Sequence, residues 1–146
     1  MPGRFRVPAS MLVRCISKKG ATLPAFAYDG RQGVTSDTEF PVTPSRTYFV
    51  FGVTLLLGIA WYYVVDDDGH DWPTWMPAPL FDVVDGTIPG SWIVGYFRFS
   101  RDNQYPMLSF PEWANDHSFY ERLVDGDPEA VRVFSERRAE VEAGLS

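Results

Sequence analysis

The chain has one cysteine and two histidines in 146 residues, and that scarcity excludes several kinds of chemistry at the outset. A single thiol, Cys15, forms no internal disulfide, and a structural zinc site would lack its usual sulfur and imidazole ligands. Cys15 sits in the apolar stretch 11–16 and reads as a small core residue, since a nucleophile needs a histidine partner that His70 and His117 are poorly placed to supply. Neither histidine stands in an HExxH frame, and there is no Gly-x-Ser-x-Gly elbow, phosphate loop or dinucleotide fingerprint. The expectation is therefore a protein without catalysis, metal or cofactor, in a reducing cytoplasm.

Positive charge is also scarce where it would matter. Between Thr47 and Phe97 there is no Lys or Arg, while Asp66, Asp67, Asp68, Asp71, Asp82 and Asp85 lie there among the aromatics. With a formal charge of −6, the chain is a poor nucleic-acid binder, because such affinity rests on cations neutralising phosphates. The acidity is uneven: residues 1–19 carry five basic groups (Arg4, Arg6, Arg14, Lys18, Lys19) and no acid.

The uncharged run 48–65 reaches the length at which a membrane span must be considered. Its two glycines, its β-branched residues and its aromatics favour strands, and its flanks, Arg46 and Asp66-Asp67-Asp68, carry no cationic anchor, so no span is expected. Residues 1–10 carry two arginines with no apolar core behind them, which reads as a loose extension and not a secretory signal.

The patterns predict a mainly β chain. Residues 11–17 form a first strand, and 18–46, rich in Gly and Pro, form a long excursion of the kind that is often functional. Residues 47–57 and 59–65 read as two strands meeting at Gly58, and the Asp-Gly step in 66–71 predicts a tight hairpin whose carboxylates lie in water. A strand at 72–76 breaks at Pro77-Ala78-Pro79, resumes at 80–84, and a last strand covers 91–99. From Pro111 the pattern becomes helical. One helix stops at Gly126, and a second starts with Asp127 as cap and Pro128 behind it, turning Val131, Phe134 and Val141 inward. The acid residues of this tail read as a solvated face.

Short strands, a long loop after the first, and the segment 75–84, in which a proline-bearing turn precedes a strand, resemble an SH3-like small barrel. The resemblance covers residues 11–85 and implies a barrel over 11–100 with an extra strand, followed by a helical pair over 111–143 packed on it. Ala25-Phe26-Ala27-Tyr28-Asp29 is similar to the Ala-Leu-Tyr-Asp-Tyr segment of peptide-binding SH3 domains but lacks its second tyrosine. A compact β module with an acidic, aromatic middle and a helical tail is also similar in style to small uncharacterised actinobacterial proteins and to immunity proteins that neutralise toxins.

Calcium is not expected at 66–71, because the oxygens are compressed and no bidentate Glu follows at the required place. Aromatic anchors rimmed by fixed charge are instead the ingredients of a protein interface. The expected partner-binding residues are Tyr62, Asp66, Asp67, Asp68, Asp71, Trp72 and Trp75, and the expected partner is a basic protein such as a toxin or nuclease domain. The alternative is a small-ligand protein or enzyme with a pocket between barrel and helices, using Asp116, His117 or Tyr120.

Overall fold

A computed structural model of the chain describes residues 10–143. Most of the loose extension expected at 1–10 therefore lies outside the described residues. Ser10 itself is buried, and its hydroxyl donates to the carbonyl of Val141 at 2.8 Å.

The architecture is mainly β, with two antiparallel sheets. Strand β1 (Leu12–Cys15) lies between β2 (Thr47–Phe49) and β6 (Phe81–Asp85) in the smaller sheet. The larger sheet has the order β5-β4-β3-β8-β7, from β3 (Gly52–Leu56), β4 (Ile59–Val64), β5 (Thr74–Pro77), β7 (Ile93–Ser100) and β8 (Asn103–Ser109). The ladders run as two separate sheets, which meet where Tyr62 of β4 packs on Phe81 of β6 at 6.0 Å between ring centroids.

The single strand expected over 47–57 is divided. Val50 and Phe51 are adjacent and both buried, so their side chains need apolar cover on two opposite faces. The chain resolves this by changing sheets: the Val50 amide donates to Met11 beside β1, and the Phe51 amide donates to Tyr63 of β4. At the other end of β3, Leu57 (φ 55°) and Gly58 (φ 80°) form a two-residue turn of the hairpin type, with both residues left-handed.

The last expected strand proves to be half of a hairpin, whose second half, β8, inserts beside β3. This second half was not expected, and it contains Pro106, which cannot donate to a ladder. The β3–β8 ladder ends at the Thr54–Met107 pair, so Pro106 lies just past it, and its carbonyl accepts from the Thr54 hydroxyl at 2.7 Å.

Three helices follow where two were expected: α1 (Pro111–Ala114), α2 (Phe119–Val124) and α3 (Pro128–Ala143). Asp116 causes the break, because its carboxylate takes both the amide and the hydroxyl of Ser118. Asp127 caps α3 as expected, accepting from the Ala130 amide at 3.1 Å and from Arg122. On α3 the inward residues are Ala130, Phe134 and Val141, whereas Val131 is 41% exposed. The rotation follows Phe134, whose ring meets Phe51 edge-on at 5.2 Å.

All three helices lie at one end of the chain, and α1 and α2 cover part of one face of the larger sheet. Register places Gly95, Phe97, Tyr105, Met107, Thr54, Trp61, Tyr63 and Trp75 on that face. Trp113 of α1 packs edge-on against Tyr63 at 4.7 Å and stacks on Tyr120 of α2 at 5.5 Å. The uncharged run 48–65 is β2, β3 and β4, and among the described residues no helix is long and apolar enough to cross a membrane.

The contact of α1 with β7 leaves no room for a side chain at Gly95, since a Cβ there would lie 1.8 Å from the carbonyl oxygen of Ala114. Gly95→Ala is expected to lower stability by roughly 2–3 kcal/mol through overpacking, while Val94→Ala on the exposed face changes it by less than about 0.5 kcal/mol. Urea denaturation of the two variants checks this, and equal midpoints would mean that α1 does not sit on β7.

Candidate partner-binding groove

The acid segment between β4 and β5 is a long connection, residues 65–73, and not a tight hairpin. Its first two aspartates point inward, against the expectation that they lie in water. Asp66 is 8% exposed, and its carboxylate accepts from the Asp68 amide at 2.9 Å and from the Thr74 hydroxyl. Asp67 takes three donors: the Thr43 hydroxyl at 2.6 Å, the Tyr48 hydroxyl at 2.8 Å and the Arg46 guanidinium at 2.9 Å. Its own amide donates to Pro41. The two carboxylates thus satisfy the buried Tyr48 and half-buried Thr74 hydroxyls together with exposed donors, and fasten the end of the long excursion to β4.

The same contacts correct the picture of an unneutralised acid stretch, because Arg46, one residue before the cation-free window, pairs with Asp67. Asp68 and Asp71 remain exposed.

The expected aromatic anchors also part company. Tyr62 lies on the sheet face opposite the helices, half-buried against Phe81. Trp72 stacks on His70 at 4.6 Å with the rings 9° from parallel. With Asp71 it borders a hollow of about 310 Å³ completed by Val124, Val131 and Arg138. Trp75 faces the other way, tilted against Trp61 at 4.9 Å on the helix-side face.

Beside Trp75 the helices stop short of covering the sheet, and two adjoining hollows open there. The outer one, of about 300 Å³, is lined by Asp66, Asp68, Trp61, Trp75, Tyr120 and the loop residues Gln32 and Phe40, among others. The inner one, of about 330 Å³, shares Gln32, Trp75 and Tyr120 and continues to Tyr63, Tyr105, Thr54 and Asn103. Together they make a groove with carboxylates at its mouth, aromatic walls and phenols at its inner end. Among the described residues neither hollow has a Lys or Arg in its lining, unlike those beside Trp72 and between α2 and α3.

Burial keeps the phenols neutral. It pushes the Tyr63 hydroxyl far above its ordinary range, with Tyr105 and Tyr120 adding to the shift, and it raises Tyr105 as well. Tyr120 is pushed up to about 12 by burial and then by the nearby Asp66 charge. Tyr120 donates to the carbonyl of Pro73 at 2.7 Å, and the Trp61 indole donates to Leu56 at 2.8 Å. Among the described residues the Tyr63 hydroxyl has no protein partner, although the residue is only 7% exposed. No fully enclosed side-chain polar atom lacks a partner, so this oxygen reaches the open space of the inner hollow.

The structure therefore brings Asp66, Asp68 and Trp75 of the expected set to one groove. It places Asp71 and Trp72 at a separate hollow, Tyr62 on the opposite face and Asp67 inside the loop anchor. Sequence reasoning passed over Tyr105, which lies on β8, a strand it did not assign, and Gln32, which sits in the excursion between the bridge partners Asp29 and Val34. Asp116, His117 and Tyr120 do not converge: Asp116 is held by Ser118 and Arg122, and His117 packs edge-on against Phe99 at 5.5 Å. Among the described residues no group of three or more His, Cys, Asp or Glu is placed to hold a metal. Comparison with known proteins finds no matching family model, no matching curated protein and no matching solved structure.

Asp67→Ala is expected to cost about 1–2 kcal/mol, because it leaves the Tyr48 hydroxyl without its acceptor, while the exposed Arg46 guanidinium is taken up by water. Asp68→Ala and Asp71→Ala should each stay within about 0.5 kcal/mol of the parent. Chemical denaturation of the three variants separates the structural carboxylate from the exposed ones, and a uniform response would contradict the assignment.

Proposed function

We propose that the chain is a cytoplasmic, non-catalytic binding protein for a basic protein partner. The observation that carries this reading is the groove beside Trp75, with carboxylates at its mouth and, among the described residues, no Lys or Arg in its lining. Aromatic side chains supply large contact area at little entropic cost, and carboxylates at the rim attract and orient a cationic surface during encounter. The second hollow, with Trp72 and the exposed Val124 and Val131, lies on the other flank of the same 66–75 segment and extends the contact area. A toxin or nuclease domain, whose active surface is basic because its substrate is anionic, is the kind of partner such a segment would cover, as an immunity protein does.

Co-purification from the native host, at low and at moderate salt, tests the reading. The parent is expected to retain a basic protein that the double variant Asp68→Asn, Asp71→Asn retains about tenfold more weakly, with the difference shrinking as salt rises. Absence of a specific partner, or retention indifferent to both carboxylates, would sink it.

A further inference from the structure

The inner hollow contains a feature that generic acidity does not explain. Tyr63 is more than nine-tenths buried, lies on a central strand and is fixed by edge-on or tilted contacts with Trp113 and Tyr120, yet its hydroxyl has no protein partner among the described residues. Its oxygen opens on the hollow, so water can reach it in the free protein, and an occupant that displaces that water must supply a hydrogen bond in its place or lose affinity. Around it stand further neutral polar groups, the Tyr105 hydroxyl and the Asn103 and Gln32 amides, and flat aromatic walls from Trp75 and Tyr120. Among the described residues no cation lines the hollow to receive an anion, and a purely apolar group would leave the phenol unanswered. A planar cation rich in donors suits all three features: it stacks on aromatic faces, donates to phenol and amide oxygens, and is drawn in by Asp66 and Asp68 at the mouth.

We infer that the groove holds one arginine side chain of the partner, its guanidinium lodged in the inner hollow against Trp75 and hydrogen-bonded to the Tyr63 hydroxyl. This rests on the partner reading above and names the anchor of that contact. An ammonium fits less well, because it is a compact and strongly hydrated charge with no flat face to stack.

The test is an NMR titration of the full chain with N-acetyl-arginine methylamide, following the Trp75 indole resonance, beside the isosteric neutral citrulline amide and the lysine amide. The arginine probe should give a saturable shift, with citrulline at least about tenfold weaker, as expected for loss of charge-assisted bonds and stacking. Tyr63→Phe, which removes an atom without a protein partner and should fold normally, is expected to weaken the arginine probe about tenfold. No saturable shift with arginine, equal affinity for citrulline or lysine, or an unchanged affinity in Tyr63→Phe overturns the inference. The probe needs no partner. A positive titration without any captured protein defeats the partner reading alone, whereas a captured basic protein with a silent titration defeats the arginine anchor alone.

Discussion

Two consecutive residues, Val50 and Phe51, are both buried, and between them the chain leaves one sheet for the other. Much else follows from that step. β2 stays with β1 and the long excursion, while β3 becomes the centre of the larger sheet, flanked by β4 and β8. Phe51, turned to the far side, becomes the surface on which Phe134 of α3 settles, and this contact fixes which stripe of α3 faces inward. One local change of sheet thus sets the position of the helical tail.

The groove is the remainder of that arrangement. α1 and α2 cover the sheet from Gly95 to Tyr63, using Ala114, Trp113 and Tyr120, and they end before Trp75 and Tyr105 are covered. The excursion closes the far side through Gln32 and Phe40, and it is held there by hydrogen bonds from Thr43, Arg46 and Tyr48 to Asp67. Asp67 therefore contributes to the groove without lining it, by holding one wall at its distance from the other. Thr74 and the Asp68 amide do the same for Asp66, whose carboxylate stays ordered at the mouth.

Features of the fold whose cause is local were legible in the sequence. Asp127-Pro128 announces a capped helix, Gly58 announces a turn, and Pro77-Ala78-Pro79 announces a break, seen as a 3₁₀ turn at Ala78–Leu80. Features with a distant cause were hidden. Asp67 looks like its neighbours Asp66 and Asp68 until Arg46 and Tyr48 are brought to it from the end of the excursion. β8 contains a proline that central strands avoid, and it is tolerated because the ladder with β3 has already ended. Val131 and Ala130 compete for the inward stripe of α3, and the smaller residue lies inward while Phe134 packs on Phe51. The candidate site was half legible for the same reason: its mouth is a run of adjacent aspartates, but its inner end is assembled from β3, β4, β8 and α2.

The division of labour within the groove follows from the cost of burying charge. A carboxylate at the inner end would need its own cation or would take up a proton, since an isolated ion in a low-dielectric interior is strongly disfavoured. Phenols and amides carry no such cost, and they can donate or accept as the occupant requires. Charge belongs at the mouth, where water still screens it and where its range is of order ten ångströms at physiological salt. In the proposed partner reading, charge there would speed the encounter and select the sign of the partner, while the aromatic walls and neutral hydroxyls would determine how long the partner stays. On that reading Asp68 and Tyr63 would act on different quantities: the exposed carboxylate on the rate of arrival and its sensitivity to salt, and the buried phenol on the rate of departure.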